Sequence, residues 1–314
     1  LAFPLVEIIE RRGPAELSRH IVPASAVADR LDRHIAARPA IANLPLDPPV
    51  IMGILNATPD SFSDGGAFLG PAAAIAHGAA MIAAGARIVD VGGESTRPGA
   101  VAVPVDEEIG RVIPVIAGLR AHAESAGAVI SIDTRNAAAM AAALNAGAAI
   151  INDVSALTHD PRAMEIVARS GAPVVLMHMQ GEPETMQRAP TYDDVALDVY
   201  DYLEGRIAAC LAAGIPLEKI VIDPGIGFGK TVAQNLALLS QLSLFHGLGV
   251  PLLIGVSRKG FIGKLSAGEP PAARLPGSLA AALACVGQGA QILRVHDVGE
   301  TAQALKVTLA LGNA

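Results

Sequence analysis

Tryptophan is absent from this chain of 314 residues, and aromatic side chains of all kinds make up only 3% of it. Its core must therefore be packed from small aliphatic residues, which suit close layers of helices and parallel strands. Cysteine is nearly as scarce. Cys210 and Cys285 both fall within alanine-rich helical patterns, which predicts two buried thiols rather than a disulfide framework or a thiolate metal site. No run reaches the roughly 20 apolar residues of a membrane span, and no basic cluster offers the charge that a phosphate backbone demands. With 23 basic against 30 acidic residues, the net charge is −7. Neither nucleic acid nor a membrane is expected as a partner, and an anionic ligand must be held by a few local cations. Glu7, Glu10, Arg11 and Arg12 interrupt the first residues, where a secretory signal needs an apolar run, so the expected compartment is the cytoplasm.

What is present is a repeat. From residue 50 onward, a short β-branched run, a polar or glycine-rich loop and an alanine-rich helical segment recur. The spacing predicts strands at 50–55, 87–91, 128–132, 148–151, 173–177, 219–222, 251–256 and 291–295. Helices are predicted near 71–84, 107–123, 136–146, 161–170, 193–213, 232–242, 272–287 and 299–311. Gly85, Gly127, Gly147, Gly171 and Gly214 read as helix stops. Eight alternating pairs predict an α/β fold of the (β/α)8 TIM-barrel type over residues 49–314. An open doubly wound sheet would need a glycine fingerprint after the first strand, and ILNATPDSF is not one. Residues 1–48 stand outside the repeat. They hold a possible strand (FPLVEII), an amphipathic helical stretch near 24–37 and a proline-rich linker, and read as an N-terminal extension packed on the barrel or capping its base.

In such a barrel, chemistry gathers where strands end and loops begin. Here the strand ends are polar throughout. They offer Asn56, the GGESTRPG loop, Asp133, Asn152 with Asp153, His178, Asp223, Ser257-Arg258-Lys259, and Arg294 with His296. A purely structural barrel has no need of eight ionic or amide-bearing strand ends. The run GFGKT (227–231) ends like a phosphate-binding P-loop, but the required first glycine falls on Pro224, so that reading fails. Lys230 is then expected to be a solvent-facing residue at a helix start.

The segments ILNATPDSFSDGG (54–66) and GGESTRPGA (92–100), followed in order by IDTR, INDVSA, VLMHMQG, PETMQ, DPGIGFGK, GVSRKGFIG, GSLAAAL and LRVHDV, resemble the signatures of the dihydropteroate synthases, over roughly residues 50–312. One departure is Ala57, where that family usually has valine. The resemblance implies a transferase of folate biosynthesis. Such an enzyme condenses 6-hydroxymethyl-7,8-dihydropterin pyrophosphate with p-aminobenzoate, giving 7,8-dihydropteroate and pyrophosphate. It also implies a homodimer.

The site residues make physical sense in that light. A pterin edge presents two parallel N–H donors, which one carboxylate can accept, and Asp223 is the candidate. Asp133 and Asn152 serve the remaining ring nitrogens and amino group, with helix capping as the plain structural alternative. Lys259 is expected on the pterin carbonyl. Ser257 and the amides of the following turn are expected on the p-aminobenzoate carboxylate. Arg294 and His296 alternate along the last strand and so share one face, suited to the leaving pyrophosphate. Asn56 offers a carbonyl oxygen to Mg2+, the expected cofactor. By the resemblance, the loops 57–70 and 92–105 close over the site and bring Phe62, Asp64, Thr96, Arg97 and Pro98 to the second substrate. Asp64, Arg97 and Lys259 are the residues expected to assist a dissociative substitution. Two rivals remain: a pterin-binding methyltransferase barrel, which would share the Asp and Asn set but not Asn56, Arg294 and His296, and an inactive pterin-binding protein, which would have lost charged strand ends.

Overall fold

The computed structural model describes residues 4–13, 16–58, 63–64, 67–68, 70–94, 103–181, 186 and 190–312. Eight parallel strands form one sheet: β3 (Val50–Asn56), β6 (Ile88–Gly92), β7 (Val129–Asp133), β8 (Ile150–Asp153), β9 (Val174–Met177), β10 (Ile220–Asp223), β11 (Leu253–Ile254) and β12 (Ile292–Val295). Their order is β10-β9-β8-β7-β6-β3-β12-β11. A parallel bridge between Ile222 and Leu252, with the Ile222 amide donating to the Pro251 carbonyl at 3.0 Å, joins the two ends. The sheet is thus a closed barrel. The strand read at 251–256 is regular over Leu253–Ile254, with Leu252 joined to β10 by the single bridge, because Pro251 has no N–H to give and the chain turns away beyond Val256.

Around the barrel lie α2 (Gly70–Ala83), α3 (Val105–Ser125), α4 (Ala137–Ala146), α5 (Ala163–Ser170), α6 (Val195–Ala212), α7 (Val232–Ser240), α9 (Leu275–Gly287) and α10 (Val298–Gly312), with the short α8 (Gly260–Leu265) between β11 and α9. All but α8, for which no helix is expected, sit within a few residues of their expected positions, and all five stop glycines have positive φ. Helix starts are chemically marked too. Asp194 caps α6 by accepting from the amides of Ala196 and Leu197, and Thr231 forms a reciprocal capping box with Gln234 on α7. Such caps each contribute about 1 kcal/mol. Cys210 and Cys285 are both buried and free, as their helical setting implied.

Side-chain alternation along each strand divides the interior into two regions. Outward residues such as Val89, Val91, Ile130, Ile132, Ile151, Leu176, Ile222 and Leu293 pack against the helices. Inward residues at the strand starts, namely Met52, Ile88, Ile150, Val175, Val221, Leu253 and Ile292, fill the base of the barrel together with Ile41, Leu44 and Leu46. Each fully buried aliphatic side chain of this kind contributes about 1.5–3 kcal/mol. The apolar base is what allows the next inward layer to be polar.

The N-terminal segment differs from expectation in two ways. The single predicted strand is half of an antiparallel hairpin, β1 (Leu5–Gly13) with β2 (Glu16–Pro23), in which Ile8 faces His20. The predicted amphipathic helix is instead a 3-10 segment over Ala24–Arg30 and one turn of α1 (Asp32–Ile35), with no buried residue in either. Without an apolar face to bury, nothing offsets the cost of nucleating a longer helix. The hairpin rests on α6 through Arg11, which pairs with Asp201, and through Arg19, whose guanidinium lies 3.0 Å from Asp194. Among the described residues no helix is long and apolar enough to cross a membrane.

Candidate functional site

Continuing the inward parity two residues up from the apolar base gives the site. On β6, Ile88 is followed by Asp90; on β8, Ile150 by Asn152; on β10, Val221 by Asp223; on β12, Ile292 by Arg294 and then His296. On β7 the inward series runs from Val129 through Ser131 to Asp133. The strand register therefore brings these polar groups to one layer near the mouth of the barrel.

The groups bond to one another. Arg294 donates from Nε to Asp90 Oδ2 at 2.7 Å and from an Nη to Asp133 Oδ2 at 2.6 Å. Asn152 donates its side-chain amide to the same Asp90 oxygen at 2.9 Å. Asp90 is fully buried, whereas the Arg294 side chain keeps 18% of its surface exposed, so the guanidinium lies between the buried acids and the open mouth. The second oxygens of Asp90 and Asp133 are buried without a hydrogen bond among the described residues. Burial pushes the Asp133 carboxyl above its ordinary range, with Arg294 opposing and Asp90 reinforcing the shift. Two buried acids sharing one guanidinium leave acceptor capacity that a ligand's N–H groups can fill.

Asp223 accepts the Gly225 amide on Oδ1 at 2.7 Å. Burial raises this carboxyl too, while the Gly225 amide and the charges of Lys259, Arg294 and Lys230 pull it back. Lys259, at the start of α8, holds its ammonium 4.1 Å from the centre of the Phe228 ring. Ser257 and His296 meet from β11 and β12: the serine hydroxyl accepts the His296 amide at 3.2 Å and lies 3.1 Å from His296 Nδ1. Between Ser257 and Lys259, Arg258 adopts a left-handed backbone, φ +58°. A non-glycine residue there costs about 1–2 kcal/mol. Its amide bonds to Ser278 and its guanidinium to Asp297, which hold the turn in place. Asn56 closes β3 opposite Gly92, half-buried, and its side chain hydrogen-bonds to no described residue.

The structure thus gathers Asn56, Asp133, Asn152, Asp223, Ser257, Lys259, Arg294 and His296 at one end of the barrel. Of the remaining expected residues, Phe62, Thr96, Arg97 and Pro98 lie outside the described residues, and of Asp64 only the backbone is described, in the short β4 (Ser63–Asp64) paired with β5 (Ala67–Phe68). One expectation is overturned. Lys230 is not solvent-facing; it is 2% exposed, with its ammonium among backbone carbonyls and His178. It stands just before the capping box of α7, so its side chain is free to fold back beneath the preceding turn instead of following the helix. Two contributors escaped the sequence reading. Asp90 sits inside an apolar strand rather than at its end. Phe228 belongs to a glycine-rich run whose only marked residues were its ends.

Residues 52–296 match the family model described as pterin binding enzyme. The chain is 51% identical over 265 residues to dihydropteroate synthase of Escherichia coli strain K12, covering 84% of this chain and 92% of that one. It is 52% identical over 273 residues to the Neisseria meningitidis serogroup B dihydropteroate synthase, covering 85% and 94%. The structure of Xanthomonas albilineans dihydropteroate synthase with 4-aminobenzoic acid superposes with a TM-score of 0.82 at 49% identity, covering 88% of this chain and 99% of that chain. The same enzyme in complex with 7,8-dihydropteroate gives 0.78 at 48% identity, over 86% and 96%. The chain belongs to the pterin-binding enzymes, and among them to the dihydropteroate synthase family.

Proposed function

We propose that the chain condenses 6-hydroxymethyl-7,8-dihydropterin pyrophosphate with p-aminobenzoate, releasing 7,8-dihydropteroate and pyrophosphate. The observation that carries this reading is the polar layer of Asp90, Asp133, Asn152, Asp223 and Arg294 above an apolar base, in a chain half identical to dihydropteroate synthases. The methyltransferase and inactive-protein alternatives have no observation in their favour.

In this reading Asp223 accepts the parallel N–H pair of the pterin edge, since Gly225 occupies only part of one oxygen. Asp133, with an oxygen that has no hydrogen bond among the described residues, and Asn152 take the remaining ring donors and acceptors. Lys259 meets the pterin carbonyl. Arg294 and His296 face the pyrophosphate, and Ser257 takes the p-aminobenzoate carboxylate. Bond breaking leads: the methylene C–O bond cleaves and its electron pair leaves on pyrophosphate. The lone pair of the neutral arylamine then forms the C–N bond, and its proton passes to water, so no strong general base is needed. Asp64 and Arg97 are assigned to the developing charge, and Phe62, Thr96 and Pro98 to the second substrate, on the family resemblance.

The donor set fits Mg2+. Among the described residues no group of three or more His, Cys, Asp or Glu side chains could hold a metal ion. Asn56 offers one neutral oxygen, which suits an ion that takes most of its ligands from water and substrate phosphates. When bound, such an ion neutralises charge on the leaving pyrophosphate. We further place the chain in the cytoplasm, as a homodimer, and as a target of sulfonamides, which would compete at the p-aminobenzoate position. Incubation with both substrates and Mg2+ should yield 7,8-dihydropteroate, followed by chromatography. Its absence would count against the proposal.

A further inference from the structure

Lys230 has no ligand-facing position, yet its surroundings are fully built. Its Nζ donates to the Gly225 carbonyl at 2.9 Å and to the Phe228 carbonyl at 3.0 Å, and lies 3.0 Å from His178 Nδ1. An ammonium has three N–H donors, so these three acceptors use all of them. No carboxylate among the described residues is within ion-pair distance of it. A lysine kept inside a protein without a paired acid is costly, and the return here is backbone geometry.

The two segments it ties are already in close contact. A Cβ on Gly225 (φ +71°) would lie 1.9 Å from the His178 carbonyl oxygen, and one on Gly229 (φ +59°) would lie 2.5 Å from that of Gln180. Only glycine permits this approach. Tyr192 adds a hydrogen bond from its hydroxyl to the Gly229 carbonyl at 2.8 Å. The turn held in this way presents the Phe228 ring to Lys259.

The geometry points to Lys230 as a positioning residue for the condensation: it fixes the Gly225–Phe228 turn so that the Phe228 ring stays beneath the Lys259 ammonium. Lys230 touches no substrate and acts through Phe228. The inference rests on the reading of Lys259 as a substrate-binding cation given above.

The test is a double-mutant cycle in the purified full chain, with formation of 7,8-dihydropteroate as the assay. Lys230→Met keeps the length of the stem and removes the donors. In a variant whose circular dichroism matches the parent, kcat/KM should fall about tenfold, and the same substitution in a Phe228→Leu background should cost only about twofold. A purely structural role would give the same loss in both backgrounds. Should Lys230→Met fail to fold, Lys230→Gln, which keeps two N–H donors, enters the same cycle with the same criterion. Unchanged kcat/KM, or equal losses in the two backgrounds, overturns the inference while leaving the proposed function intact. No product from the unmodified chain overturns both.

Discussion

Asp90 accepts a hydrogen bond from Arg294 at 2.7 Å, linking the middle of β6 to β12 across the intervening β3. The bond lies one layer above the apolar base, in a position sealed from below by Ile88 and Ile292. Because Arg294 also reaches Asp133, and Asn152 also reaches Asp90, four strands are pinned at the level where a ligand would enter. Removing one member of such a buried charged set leaves the others without compensation. Asp90→Ala should therefore destabilise the protein by about 3 kcal/mol, toward the lower end for a broken buried pair because Arg294 retains Asp133. Urea denaturation measures this; a change below about 0.5 kcal/mol, the level of an ordinary surface substitution, would show that this set is not structurally coupled.

Asp223 sits in the same layer, and among the described residues its carboxylate accepts a hydrogen bond from the Gly225 amide alone. Asp223→Asn preserves that bond through the amide oxygen and the shape of the side chain, but sets an NH2 group against a pterin donor. Pterin binding should weaken by about 2–4 kcal/mol with the fold intact. Calorimetry with a bare pterin reads it, and unchanged affinity would remove Asp223 from the site.

Asn56 calls for a different comparison. The proposal that it holds Mg2+ on the pyrophosphate implies that Asn56→Ala weakens binding of pyrophosphate in the presence of Mg2+ and lowers turnover sharply. Affinity for a pterin lacking phosphates should change little. Equal losses for both ligands would place Asn56 in pterin contact or folding instead.

His178 supplies a pH dependence. Burial, reinforced by the charge of Lys230, pushes its imidazole down to about 3 from an ordinary 6.5. Between those values the unfolded chain binds a proton that the folded chain does not, so this group makes stability rise with pH through that window and fall on acidification. Above pH 6.5 neither state binds the proton and the contribution is constant. His178→Gln removes the linkage. The stability of the unmodified protein should fall more steeply than that of the variant as pH drops from 6.5 toward 3, and parallel curves from urea denaturation would contradict the assignment.

Much of this architecture was legible in the residue pattern, and the exceptions are instructive. The barrel strands read well because each is a β-branched run bounded by glycine and a polar end, and Asp133, Asn152 and Asp223 stand where a strand gives way to a loop. Asp90 gives no such signal, because it lies two residues earlier, inside RIVDV. Its signal was parity: it shares the inward face with Ile88, and a lone acid on that face needs a cation across the barrel. The burial of Lys230 is not legible in sequence, because a lysine next to a helix start is usually solvated, and its three acceptors come from chain segments that only the fold brings together. Only half of the N-terminal hairpin is legible in sequence, since ELSRHIVP carries no clean alternation and is held by pairing with β1 and by the salt bridge from Arg19 to Asp194 at the start of α6 rather than by a buried face.

The central claim is that this barrel joins two substrates with loss of pyrophosphate. The most direct measurement is the rate of pyrophosphate release from 6-hydroxymethyl-7,8-dihydropterin pyrophosphate and Mg2+, with and without p-aminobenzoate. Because C–O cleavage comes first, the account allows up to one pyrophosphate per site without p-aminobenzoate and predicts sustained release only when p-aminobenzoate is present, with one 7,8-dihydropteroate formed for each pyrophosphate. No release in the complete mixture, or the same sustained multiple-turnover rate with p-aminobenzoate left out, would contradict it.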